Sequence, residues 1–326
     1  MVASELSKRG INADVLTRGS DLFLLQHFRT WYEFASWKKI LAEPPDVLII
    51  HRSSSYTTYE MLKKLRKNSS CTSIFDYDDA LFHTRLPGRI SYTHLSGMMM
   101  TCDAVTAGSH YLKEYACRLN SKTHLLPTGV DTELFHPKNK GRDRHQTTIG
   151  WLGSGDSYQL RYLKILKRPL DLISRRYDIK LRIISGFSQA VKSEFRNREY
   201  EVDFGFDRWV PIQEAAEATN EFDIGVMPLT DSPWERGKCS MKALEYMACG
   251  LPVVASPVGE NNFVITNGFN GFLASSESEW VDYLERLISD KELMTKMGAS
   301  GRKFVEETYS LPVITQNLID IIKGLQ

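Results

Sequence analysis

The stretch from Trp234 to Pro257 constrains this chain more than any other, because three structural elements must fit into it. Trp234-Glu235-Arg236-Gly237-Lys238-Cys239-Ser240 is polar and reads as a loop. The next segment spaces Leu244, Met247 and Ala248 along one helix face, with Ser240 placed to cap its start and Gly250 to close its end. Leu251 to Ala255 is a short unbroken apolar run, the pattern of a strand covered on both faces. A loop carrying Arg236, Gly237 and Lys238 ahead of a helix N-terminus suits a phosphate. Unpaired amides, the helix dipole and two cations would all face one anion.

Strand-like and helix-like runs alternate through the rest of the chain. Strands are expected at 13–16, 47–50, 73–75, 102–107, 123–126, 147–152, 181–184, 202–204 and 223–229. Helices are expected at 3–9, which Gly10 would end, and at 26–41, 111–119, 160–170, 214–220 and 280–326. That alternation predicts an α/β protein with parallel sheets and helices on both faces. The 326 residues suit two domains, and the polar run 138–146 reads as their linker. With 42% hydrophobic and 25% charged residues, both domains can build cores.

Net charge is +1, so there is no electrostatic case for a nucleic-acid partner, and the basic residues of 138–146 lack an aromatic platform. Cysteines 71, 102, 117, 239 and 249 are scattered without metal-like spacing, as in a reduced compartment. There is no leader-like start and no apolar run of ~18 or more residues. A cytoplasmic protein is expected. Residues 26–41 set Phe28, Trp31, Tyr32, Phe34 and Trp37 among Arg29, Lys38 and Lys39. Such a helix could lie on anionic lipid at the inner face of a membrane. The simpler reading is a core-facing helix with a solvated edge.

Three further places could carry chemistry. His51-Arg52 follows the strand 47–50, and ligands of open α/β sheets gather at the carboxyl ends of strands. The pair could orient an acceptor hydroxyl or meet a phosphate, or His51 could simply hydrogen-bond within its loop. Asp76-Tyr77-Asp78-Asp79 admits a metal-binding Asp-x-Asp, or the nucleophile and acid of a haloacid-dehalogenase-like phosphatase. The latter wants Thr or Val where Ala80 stands. Gly153-Ser154-Gly155-Asp156 lies between a strand and a helix, a phosphate-cradling layout. Counted from Gly150, its glycine spacing is not the dinucleotide fingerprint.

Glu245, Ala248, Cys249, Gly250, Pro252, Val253 and Val254 resemble the donor-binding signature of glycosyltransferase family 4, retaining enzymes of the GT-B fold. Pro127-Thr128-Gly129-Val130-Asp131 with Phe135 resembles the family's Pro-Asn-Gly-Val-Asp-x-x-x-Phe, with Thr128 replacing Asn. Gly129 would take an unusual φ at a tight turn there. Gly268 to Leu273 resembles its Gly-x-x-Gly-Phe-Leu turn, and Phe75 to Asp79 a segment of some relatives' N-terminal halves. The matches cover most of 102–137 and 223–274.

The resemblance implies two Rossmann-like domains, 1–139 on the acceptor side and 140–307 for the nucleotide sugar, with the helix 308–326 packing back on the first. It implies metal-independent transfer, without a cofactor and with retention, from a nucleotide sugar to a glycan or lipid-linked acceptor in polysaccharide or glycolipid synthesis. Glu245 would grip the ribose hydroxyls. The first glutamate of the family's Glu-x7-Glu pair falls on Gly237, so Glu235 is the nearest carboxylate for the sugar. The family's diphosphate-binding Arg and Lys fall on Trp151 and Asp156, which leaves that charge to Arg236 and Lys238, with His51 as the third catalytic candidate. Amides at Gly153, Ser154, Cys239 and Ser240 would assist. Val210 would lie near the base, Gly259 and Glu260 would border the sugar, and Arg52, Asp79 and Thr128 would line the acceptor side. A family 4 enzyme also has a strand and a glycine-rich loop ahead of the helix 3–9, and this sequence starts after that point. Gly237 and that start favour the rival reading, a nucleotide-sugar-binding protein without transfer activity.

Overall fold

The computed structural model describes residues 2–16, 26–83, 94–138, 145–153, 158–185, 189–206 and 211–326, with the backbone alone for 26–32. The chain divides into two compact units. Unit 1 is Met1–Thr128, Gly237–Cys239 and Ile314–Gln326; unit 2 is Gly129–Arg236 and Ser240–Val313.

Unit 1 runs α1 (Val2–Lys8), α2 (Gln26–Ala42), β1 (Val47–His51), α3 (Tyr56–Asn68), β2 (Thr72–Tyr77), α4 (Leu95–Thr101), β3 (Ala104–Ala107), α5 (His110–Cys117) and β4 (Thr123–Leu125). Its strands are all parallel in the order β1-β2-β3-β4. Ser55 and Ser109 accept hydrogen bonds from Thr58 N and Leu112 N, which starts α3 and α5 where the sequence offers a hydroxyl. Leu62, Ile74, Phe75, Met98, Val105 and Leu112 are fully buried and bind the helices to the sheet.

Two expectations fail in this unit, the strand at 13–16 and the end of the strand at 73–75. Residues 13–16 form no strand: they lack a described sheet partner, and Val15 is 67% exposed. The run 47–50 forms a strand, but at the edge of the described sheet, with Ile49 37% exposed, so it is only half covered. Asp76 lies inside β2 rather than after it, because the pairing with β1 continues to His51. In α2, Trp37 and Ile40 are buried while Phe34 is exposed, so this helix turns one face inward.

Unit 2 runs β5 (Thr147–Gly153), α6 (Leu160–Ile173), β6 (Ile179–Ser185), α7 (Gln189–Glu194), β7 (Glu201–Phe204), α8 (Ile212–Thr219), β8 (Ile224–Met227), α9 (Pro233–Arg236), α10 (Met241–Ala248), β9 (Val253–Ala255), α11 (Asn261–Val264), β10 (Phe272–Leu273), α12 (Glu277–Ser289) and α13 (Lys291–Thr308). Helix α14 (Leu311–Lys323) begins here, and its residues from Ile314 cluster with unit 1. The sheet is parallel throughout, in the order β10-β9-β8-β5-β6-β7. One apolar cluster gathers Phe222, Leu244, Tyr246, Met247 and Val253; a second gathers Trp151, Leu163, Leu166, Trp280 and Leu284.

Two glycines let α13 lie close to α10. A Cβ at Gly298 would collide with the carbonyl of Gly250, and one at Gly301 would press on Met247. Arg302 on α13 then donates to the carbonyls of Ala248 (2.6 Å), Phe135 (2.7 Å) and Thr132 (3.1 Å). This fixes the turn after Val130 against the end of α10. Gly129 is not among the described left-handed glycines, so the unusual φ expected there is absent. The polar carbonyls of that turn are satisfied by Arg302 instead.

Candidate functional site

In unit 2 the site residues hang on α9 and α10. The closure of α10 follows the sequence closely: Gly250 takes φ 70°, its N–H donates to Met247 O, and Leu251 N donates to Tyr246 O. That is a Schellman end, and a left-handed residue there favours glycine. The start of α10 differs from expectation. Ser240 occupies the cap position with φ 54° and ψ 22°, and its hydroxyl donates to Asn261 Oδ1 (2.6 Å) instead of accepting from the helix. The amides at the N-terminus are therefore not capped by that hydroxyl. The Tyr246 hydroxyl accepts from Leu152 N (2.7 Å), tying α10 to the carboxyl end of β5. Gly153 follows there, while Ser154, Asp156 and Val210 lie outside the described residues.

Glu245 is buried, and its Oε2 accepts from Lys242 Nζ at 2.9 Å. Among the described residues Oε1 has no hydrogen-bond partner.

Glu235 lies in a helical turn, not a loop, and is fully buried. One oxygen accepts from Tyr158, Arg161 and Tyr162, the other from Ser232. Burial pushes its carboxyl up, but the hydrogen bonds from Ser232, Tyr162 and Tyr158 and the Arg161 charge outweigh it, and the group is held below the usual range. Arg161 also stacks on Tyr158 at 3.6 Å. Glu235, expected near a sugar, already has its donors supplied by Tyr158, by Arg161 and Tyr162 of α6, and by Ser232. Position alone gave no sign of this, since Arg161 is distant in sequence.

Arg236 is exposed and forked onto Asp231, with Nε–Oδ1 at 2.6 Å and Nη2–Oδ2 at 2.9 Å. Its hydrogen bond holds the Asp231 carboxyl below the usual range. The partner was missed, although an Asp five residues before the Arg across a helix start was a readable signal. Gly259 takes φ 55°, and a Cβ there would meet Arg236 O at 2.5 Å. The loop before the buried Glu260 thus rests on the backbone of α9.

In unit 1, Gly237–Cys239 pack on the segment after β2. A Cβ at Gly237 would meet Ala80 Cβ at 2.6 Å and Ala80 N at 3.0 Å, so no glutamate fits here. Gly237→Ala is expected to lose about 1–2 kcal/mol by overpacking, read as a lower denaturation midpoint; an unchanged midpoint would mean that Ala80 gives way freely. The Cys239 thiol donates to Asp78 O at 3.1 Å, and Ser109 Oγ donates to Gly237 O at 3.4 Å. Lys238 is half-buried and forms no ion pair among the described residues.

At the carboxyl end of the unit 1 sheet, His51 Nδ1 lies 2.7 Å from Asp76 Oδ2, and Thr106 Oγ1 donates to Asp76 Oδ1 at 2.6 Å. Arg52, left-handed at φ 55°, reaches Asp78 (3.3 Å) and Asp79 (2.6 Å). Burial raises the Asp79 carboxyl above its usual value, against the pull of Arg52. Thr128 closes this unit, half-buried. Among the described residues no group of three or more His, Cys, Asp or Glu could hold a metal ion, and no helix is long and apolar enough to cross a membrane.

Residues 146–290, which hold β5 through α12, match the glycosyl transferases group 1 family. D-inositol 3-phosphate glycosyltransferase of Pseudarthrobacter chlorophenolicus is 30% identical over 213 residues, 61% of this chain and 48% of that protein. Spore coat protein SA of Bacillus subtilis is 25% identical over 224 residues, 62% of this chain and 58% of that protein. The matches thus span about half the length of these curated relatives. Among solved structures, sucrose-phosphate synthase of Thermosynechococcus elongatus superposes with a TM-score of 0.70 at 17% identity, over 95% of this chain and 82% of that one. Anabaena HepE, solved with UDP and glucose, superposes with a TM-score of 0.67 at 15% identity, over 98% and 88%. The fold is GT-B.

Proposed function

We propose that this group 1 glycosyltransferase moves a sugar from a nucleotide-sugar donor to a hydroxyl of a glycan or lipid-linked acceptor, with retention and without a metal. The observation that carries the reading is Glu245, a buried carboxylate with one oxygen on Lys242 and the other without a described partner, on the helix of the matched domain. A carboxylate so placed can accept from the vicinal hydroxyls of a ribose. The neighbour solved with UDP and glucose supports a nucleotide donor.

The diphosphate leaves with negative charge, and charge stabilisation is where such a site gains most. We give that role first to Lys238, which needs to break no ion pair, then to Arg236, which shares itself with Asp231. Amides of Gly153 and of the α10 start assist.

Thermal stabilisation by a panel of UDP- and GDP-sugars tests the donor class, since a ligand bound only by the folded state raises the melting temperature. Glu245→Ala is expected to weaken nucleotide binding about tenfold in calorimetry, the loss of one charge-assisted hydrogen bond. Equal affinity would remove the ribose role. Donor binding without transfer is the second reading, favoured by Gly237, where Ala80 leaves no room for a carboxylate. Stabilisation by a donor with no sugar passed to any acceptor would favour it.

A further inference from the structure

The three residues His51, Asp76 and Thr106 form one rung across three parallel strands. His51 is the register partner of Asp76, and Asp76 of Thr106. Resting on the transfer reading above, we propose that Asp76 is a positioning residue: it holds His51 in the tautomer whose Nε2 accepts a hydrogen bond from the acceptor hydroxyl.

A carboxylate accepts and does not donate, so the 2.7 Å contact puts the ring proton on Nδ1 and leaves the lone pair of the neutral ring on Nε2. The Asp76 carboxylate is itself fixed by the hydroxyl of the fully buried Thr106, at 2.6 Å. Because all three side chains stand on paired strands, the sheet sets their geometry rather than a loop. The His51 side chain is 54% exposed at the carboxyl end of β1, with Nε2 4.0 Å from Asp78 Oδ1. Arg52 holds Asp78 and Asp79 from the adjoining residue, in a left-handed conformation uncommon for anything but glycine. Backbone held in sparsely populated regions clusters at functional sites.

The charged groups facing the ring are therefore Asp76 from β2, Asp78 and Asp79 from the loop that follows it, and Arg52 from the end of β1. The hydrogen bond to Asp76 is the largest influence and raises the His51 pKa above its ordinary value. Burial and Arg52 oppose it, while the charges of Asp76 and Asp78 add to it. Imidazolium has no lone pair to offer, so transfer should rise with pH as His51 loses its proton, with a midpoint above that of an ordinary histidine. Removing Asp76 removes the main raising cause and moves the midpoint down.

The test combines kinetics with nuclear magnetic resonance titration of the His51 ring in the full chain. Asp76→Asn is expected to shift both the ring titration and the rising limb of the kcat profile to lower pH. It should lower plateau kcat about tenfold, less than a fully lost acid–base group costs, with donor KM unchanged. In a His51→Ala background the same change should cost nothing further, which a purely structural role would not produce. His51→Gln keeps an acceptor that does not titrate, and should fold and lose the limb even where Asp76→Asn is unstable. A wild type that transfers sugar while Asp76→Asn keeps its limb and kcat overturns this proposal alone. A limb that survives in His51→Gln does the same. A wild type that passes sugar to no acceptor overturns the transfer reading and the role given to His51 together.

Discussion

Lys238→Ala is expected to lower kcat about a hundredfold, within the range found when one preorganised charge-stabilising donor is removed. The side chain is half-buried, carries no ion pair among the described residues, and follows a glycine that Ala80 pins in place. Redirecting that cation breaks no ion pair and gives up only a longer-range attraction to Asp79, whereas Arg236 must give up part of a forked contact with Asp231. The loss should fall on kcat more than on donor KM, since the charge on the leaving diphosphate grows only as the bond breaks. Lys238→Arg should recover part of the rate. Steady-state kinetics on both variants checks this, and turnover equal to wild type would take Lys238 out of the site.

Glu235→Ala is expected to destabilise the folded chain by about 3 kcal/mol, the scale of breaking a buried ion pair by removing one partner. Arg161 keeps some exposure, at 36% of its side chain, which places the effect at the lower end of that range. Four donors converge on the carboxylate from Tyr158, Arg161, Tyr162 and Ser232, and its loss leaves the buried Tyr162 hydroxyl and Ser232 without that acceptor. Glu235→Gln should recover part of the loss, because an amide oxygen still accepts. Denaturant titration reads both values. A loss below about 1 kcal/mol, typical of an exposed pair, would mean that the cluster is not held as described. The contrast with Lys238 is useful: one variant should fail as an enzyme while folded, the other should fail to stay folded.

Much of the fold was legible because periodicity and punctuation reflect local physics. Val253–Ala255 is fully buried as its apolar run required, and Gly250 ends α10 with the expected positive φ. The errors share one cause. Residues 13–16 have strand composition, yet a strand exists only where a partner offers hydrogen bonds, and no described strand does. Ser240 has the residue type of a cap, but Asn261, distant in sequence, accepts its hydroxyl. Trp151, standing where the family has a cation, is buried in the core cluster that also holds Leu163 and Trp280. For the candidate site, the sequence picked out His51 and the Asp76–Asp79 run but not their relation, which depends on strand register.

By itself the sequence determined the alternation of strands and helices, the parallel sheets, and the helix and strand around Glu245, because each follows from residue type and near-neighbour spacing. It also carried the resemblance to glycosyltransferase family 4, through motifs clustered at the ends of those elements. Only the tertiary structure decided which polar groups are already satisfied. Glu235 is spent on α6, Arg236 on Asp231, and Asp76 is joined to His51 and Thr106 by the sheet register. Such pairings depend on distances between residues far apart along the chain, which no local pattern encodes.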